Sequence, residues 1–155
     1  MLSQKHRLDD SALSHLVGYA LVKANLVLAK TFQQHIGKPL ALTPAEFTLL
    51  TLLAGNRKAT QKELATQLSV RAPNLTVILN RLSQRGLVTS ERNDSDGRSV
   101  LIGLSAAGKK LQATAYKVSQ SMEDPALCGI SASEKKVLLR LLRRVASDGL
   151  IDVSS

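Results

Sequence analysis

Asn74, Thr76, Val77, Asn80 and Arg81 lie on or at the edge of one side of a segment whose other side is Leu75, Ile78, Leu79 and Leu82. The apolar four recur at the spacing of one face of an α-helix. The opposite side then offers amide, hydroxyl, methyl and guanidinium groups. Such groups meet base edges in the major groove of DNA, which admits one helix. Val77 suits a thymine methyl and cannot read guanine. Arg71, just ahead of the segment, and Arg98, beyond it, supply cations that grip phosphate or enter the minor groove. Asp96 has the wrong charge for DNA and is expected to orient Arg98 or close a turn.

Other chemistries find no support in the residue pattern. His6, His15 and His35 lack metal-ligand spacing, and no paired-carboxylate, nucleophile or phosphate-loop motif appears. No enzyme activity, metal or cofactor is expected. Cys128 is the only cysteine, which excludes an intramolecular disulfide and a cysteine-rich zinc site. It has no basic neighbour in sequence to activate it and reads as a quiet small residue. Lys and Arg total 21 against 12 Asp and Glu, a formal charge of +9 that makes a polyanion the first partner to consider. No apolar run reaches the roughly 18 residues a bilayer demands, and the first ten residues carry no signal-peptide core. A cytoplasmic protein without a membrane partner is expected.

The elements that must hold these residues are legible from caps and periodicity. Ser11 to Phe32 is apolar at nearly every helical angle, so it is expected to form a helix buried by a second copy of the chain. On it, His15, Tyr19, Val22 and Leu26 are spaced to share one face. Gly37-Lys38-Pro39 is expected to end it. Thr43-Pro44-Ala45-Glu46 and Thr60-Gln61-Lys62-Glu63 each open a helix with a capping box. Pro73 falls in the first turn of the Leu75–Leu82 helix, and Gly86 stops it. The period then changes to two strands, 87–92 and 99–104, around an Asp96-Gly97 turn. Ser105 caps a helix to about Met122, and Ser131-Ala132-Ser133-Glu134 opens a last one.

A short helix, a tight turn, a second helix with a polar face and a hairpin make a winged helix-turn-helix. The expected fold is all-α with a small β-hairpin wing. The DNA-binding domain spans 43–104, with dimerisation helices at 1–42 and 105–155. A helical protein-interaction module that no longer binds DNA is the alternative.

Over residues 11 to 147 the chain resembles the MarR family of bacterial transcription regulators. The resemblance rests on Gln61-Lys62-Glu63-Leu64-Ala65, on Asn74-Leu75-Thr76 with Arg81-Leu82, and on Gly86-Leu87-Val88. Its most specific part is the wing, Arg92-Asn93-Asp94-Ser95-Asp96-Gly97-Arg98, followed by Leu104-Ser105 and Gly108. The resemblance implies a homodimer on a pseudo-palindromic operator, usually repressing nearby genes until a small, often aromatic, ligand releases it. Thr76 and Asn80 match groove-facing positions and Arg98 the wing arginine. Val77 and Gly97 stand where many members carry a basic residue. The family's effector pocket lies beside the first helix, which makes His15, Tyr19, Val22 and Leu26 the candidate ligand residues.

Overall fold

The computed structural model describes residues 8–93 and 96–148, with the side chains of 93–98 and 148 outside the description. It divides into two units, 1–122 and 123–155. The first holds a 3₁₀ turn (Ser11–Leu13), helix α1 (Val17–Phe32), a π turn (Gln33–Gly37), a short α2 (Lys38–Leu40), α3 (Pro44–Asn56), β1 (Lys58–Thr60), α4 (Gln61–Leu68), α5 (Ala72–Gln84), strands β2 (Val88–Asn93) and β3 (Asp96–Leu104), and α6 (Ala106–Ser119). The second holds α7 (Ala132–Asp148). The all-α fold with a small β wing is thus as expected.

Two expectations for the first helix are corrected. It begins at Val17, not Ser11, because the preceding polar residues make local bonds instead. The Ser11 amide donates to Asp9 Oδ1 at 3.0 Å, and Ser14 and Leu16 bond three residues back rather than four. His15 therefore sits in a turn ahead of the helix and does not share a helical face with Tyr19. At the other end the chain winds on through Gly37 and Pro39. The π turn buries Ile36 and Gly37, and Pro39 occupies the first turn of α2, where its missing N–H needs no partner. Winding stops at Ala41, in the left-handed region at φ +50°.

The capping boxes are formed as read. At α3 the Thr43 amide donates to Glu46 Oε2 (2.8 Å) and the Glu46 amide to Thr43 Oγ1 (3.2 Å). This satisfies Glu46, the one buried charged residue among the described residues. Thr60 and Glu63 repeat the pattern at α4. Leu49, Leu50 and Leu53 of α3 meet Leu64, Leu75, Leu82 and Ile102 in a core built almost wholly of aliphatic side chains. Its one aromatic contact is Phe32 edge-on to Phe47, centroids 5.9 Å apart.

The sheet has three strands in the order β1-β3-β2, all antiparallel. Strand β1 was not expected, since three residues are too few to show a period; it pairs Lys58–Thr60 with Leu101–Gly103. The wing strands also run further than anticipated. Asp96 and Gly97 lie within β3, with Asn93 paired to Asp96 after an irregularity at Arg92/Asn93. Asp96 and Gly97 therefore form no turn of their own, and residues 94–95 lie outside the described residues.

Candidate nucleic-acid interface

Position α5 begins with α4. Its helix ends at Ser69 in the left-handed region (φ +52°), and the Val70 amide bonds back to the Ala65 carbonyl at 3.0 Å. Chain direction changes within Ser69-Val70-Arg71, and Pro73 falls in the first turn of α5. This is the tight turn of a helix-turn-helix. Leu75, Leu79 and Leu82 are buried, fixing the rotation of α5 about its axis. Asn74, Thr76, Val77, Asn80, Arg81 and Gln84 are therefore turned to solvent, and Arg71 is exposed at the N-cap.

These groups are available for recognition. Val77 is 51% exposed, which leaves its methyl groups free to contact a partner. Thr76 Oγ1 donates to the Ala72 carbonyl at 3.0 Å and keeps its acceptor lone pairs. The side chains of Arg71, Asn74, Asn80 and Arg81 make no hydrogen bond or ion pair with the described residues. Between Glu63 and Glu91 the chain carries Arg71, Arg81 and Arg85 and no acidic residue, so the field over α5 is positive.

The C-terminal end of α5 is held by bonds that sequence reading did not supply. Gly86, at φ +65°, lets the Leu87 amide reach the Leu82 carbonyl (2.9 Å) and its own amide reach that of Ser83 (2.8 Å). Arg85 donates from Nη1 to the Ala41 carbonyl (2.6 Å) and from Nη2 to that of Leu40 (3.2 Å). These acceptors lie at the left-handed turn at Ala41, which the sequence does not announce. Gln84 also faces outward beside Asn80 and Val77. Helical spacing in the sequence already puts it on the side of Val77, Asn80 and Arg81.

The wing places Asp96 and Arg98 on β3, beyond the pairing of Arg92 with Val100. Their side chains lie outside the described residues. On β2, Glu91 forms an ion pair with Lys58 of β1.

Of the four residues considered for a ligand, three keep the helical spacing of one face. Tyr19, Val22 and Leu26 lie on α1 and His15 does not. The Tyr19 hydroxyl donates to Asp10 Oδ2 at 2.6 Å, and Lys23 Nζ stands 3.2 Å from the same oxygen. These bonds, Tyr19 foremost, hold the Asp10 carboxyl below the usual carboxylate range. Val22 and Leu26 are 60% and 66% exposed.

A short brace helix, a turn, an aliphatic-backed helix with an outward polar face and a three-stranded wing define a winged helix-turn-helix protein. The MarR family model matches residues 42–100, the span that carries this arrangement. CouR, a transcriptional repressor solved bound to a 23-mer DNA duplex, is 35% identical with a TM-score of 0.84, covering 90% of this chain and 99% of that one. A mutant MarR from E. coli, complexed with operator DNA, is 27% identical with a TM-score of 0.79, covering 88% and 99%. An HTH-type transcriptional repressor of Mycobacterium tuberculosis is 29% identical over 140 residues, 90% of this chain and 97% of that protein. The chain belongs to the MarR family, whose members are DNA-binding transcriptional regulators and not enzymes. Among the described residues no helix is long and apolar enough to cross a membrane.

Proposed function

We propose that the chain is a homodimeric, sequence-specific transcriptional regulator of the cytoplasm that represses at a pseudo-palindromic operator and is released by a small aromatic-type ligand. The observation that carries the DNA half is the outward face of α5. Asn74, Thr76, Val77, Asn80 and Arg81 are exposed there over an acid-free, arginine-bearing stretch. In this reading α5 lies in the major groove and Asn80 and Thr76 meet base edges. Val77 contacts a thymine methyl, Arg71 and Arg81 hold the backbone, and Arg98 serves the wing with Asp96 in support. Residues 43–104 form the DNA-binding domain, with 1–42 and 105–155 given to dimerisation.

The dimer is supported by what each unit leaves uncovered. Of α1 only Phe32 is buried, while Val17, Val22, Leu26 and Val27 are all more than half exposed. On α7, Val137, Leu138, Leu141 and Val145 are likewise exposed. Apolar stripes of this extent are stable in water when a partner covers them, and a second copy presents the same surface. Family membership supports repression and ligand release, with Tyr19, Val22 and Leu26 as the aromatic-ligand candidates on α1.

A mobility shift on the chain's own upstream DNA tests the reading. The expected result is a dimer-stoichiometry complex on a palindromic fragment, half-sites about 10 bp apart, that weakens steeply with salt. Binding to no fragment, or binding indifferent to salt, overturns it.

A further inference from the structure

Helix α1, the π turn and α2 wind on without a break from Val17 to Leu40. At the rise of a helix this makes a rod about 35 Å long. Toward its start the rod bears the uncovered stripe of Val17, Val22, Leu26 and Val27. Its far end is embedded in the winged domain. There Ile36 is fully buried in the core that also holds Leu50 and Leu79, and Phe32 meets Phe47 of α3 edge-on. The rod thus runs from the surface offered to a second copy into the domain that carries α5.

The embedded end is closed by an unusual piece of backbone. Ala41 sits at φ +50°, ψ +48°, a region that L residues other than asparagine seldom enter. The last carbonyls of a helix lack forward amide partners, and here the amide four residues beyond Leu40 would be that of Pro44, which has no N–H. Arg85, just past α5, fills the gap. Its Nη1 donates to the Ala41 carbonyl at 2.6 Å and its Nη2 to that of Leu40 at 3.2 Å. A planar guanidinium on two consecutive carbonyls fixes direction as well as distance. Among the described residues these are the only hydrogen bonds between the rod's closing end and α5 with its cap. Ala41, Arg81, Gln84 and Arg85 border one shallow depression, so the fork stands beside the outward face of α5.

We propose that Arg85 is a positioning residue: it fixes the angle between the α1–α2 rod and α5, and so sets the half-site spacing that the dimer accepts. The inference rests on the reading above of a homodimer on paired half-sites. Leverage makes the angle matter. A tilt of about 5° at the joint displaces the far end of a rod of about 35 Å by about 3 Å, close to the rise of one base pair. A stiff joint therefore rejects a spacing that is wrong by one step, whereas a loose one accommodates it at the expense of affinity for the right one.

The test titrates the full-length parent, Arg85→Gln and Arg85→Lys against palindromic fragments with half-sites about 10 bp apart, against fragments one base pair longer and shorter, and against a single half-site. The parent is expected to favour one spacing over its neighbours by about a hundredfold. Arg85→Gln should bind the single half-site as the parent does, with the same salt slope, yet narrow the spacing preference to about tenfold or less. Arg85→Lys keeps the charge without the fork and should narrow it as well. A merely structural role would weaken the single half-site and leave the preference in place. A preference retained in both variants overturns the strut. So does a lysine variant that alone keeps the parent's preference, which assigns the effect to charge. Weaker half-site binding with a salt slope shallower by about one makes Arg85 a phosphate contact and overturns it too. A parent that binds no fragment, or every spacing alike, overturns the paired half-site reading and the strut falls with it.

Discussion

The Ser105 hydroxyl donates to the Gly86 carbonyl oxygen at 2.6 Å and accepts from the Gly108 amide at 3.0 Å. One side chain thereby caps α6 and fastens it to the residue that ends α5. The Ser105 amide adds a bond to the Leu87 carbonyl at 3.1 Å. A Cβ on Gly108 would overlap that same carbonyl oxygen, so the approach of α6 to α5 requires glycine there. Removing the cap in Ser105→Ala should cost about 1 kcal/mol. Gly108→Ala should cost about 1–3 kcal/mol, because the Leu87 backbone must move. Urea denaturation at fixed protein concentration reads both; a Gly108→Ala chain as stable as the parent would refute the close contact.

Base readout and backbone contact should separate by mutation. Asn80→Ala is expected to change preference at one operator position, losing about 1–3 kcal/mol of discrimination there. Arg98→Ala should weaken all sequences alike and reduce the salt slope by about one. Binding selections on randomised half-sites check the first, and salt titrations the second. Should neither move, α5 and the wing are not placed on DNA as proposed.

Val77 offers a gain-of-function test. Its exposed position beside Asn80 is open enough to accept a long side chain. Val77→Arg should introduce preference for guanine at the base step that Val77 would meet only through a methyl contact. Selection yielding the parent motif unaltered would show that this position does not face base edges.

Asp10 provides a pH readout for the start of α1. Its folded-state pKa lies below the ordinary value, through Tyr19 first and Lys23 second. The linkage therefore favours the fold above the ordinary carboxylate range and is lost as pH falls through the depressed value. Carboxyl NMR should show Asp10 titrating below the ordinary aspartate value, and Tyr19→Phe should raise its pKa. The Asp10 side chain is 47% exposed, so solvent screening keeps the effect on global stability small. An Asp10 titration unmoved by Tyr19→Phe would remove the hydroxyl as its principal partner.

The uncovered stripe on α1 makes assembly testable by charge. Leu26→Glu, at a site 66% exposed in the single chain, should leave the winged domain folded. It should shift sedimentation toward the monomer and abolish tight operator binding. A dimer of native strength would place the interface elsewhere.

Much of this was legible because local rules dominated it. Thr43/Glu46, Thr60/Glu63 and Ser131/Glu134 all form the capping boxes their spacing implies. Gly86 ends α5 as a positive-φ glycine should, and the alternation of Leu75, Leu79 and Leu82 against Asn80 and Val77 set the outward face in advance. What escaped depends on long-range geometry. Strand β1 exists because Leu101–Gly103 offers an edge, and nothing in Lys58-Ala59-Thr60 announces it. Arg85 finds its acceptors 44 and 45 residues away in sequence. His15 was misplaced because hydrophobic periodicity extended α1 through a segment where aspartate and serine hold the backbone in tighter turns.

The two ends of α5 differ in a way that bears on how it would meet DNA. Arg85, the Gly86 turn and Ser105 clamp its C-terminal end, whereas Arg71 at its N-cap gives the first turn no side-chain acceptor. Mechanically the helix is a cantilever, clamped at the root by side-chain bonds and held near the tip by the packing of Leu75 alone. Exchange of its amides with solvent should accordingly be fastest near Asn74 and slowest near Leu82. In the proposed complex, the tip that carries Arg71 and Asn74 would then be the part that adjusts to each operator, with the root near Gln84 keeping one pose.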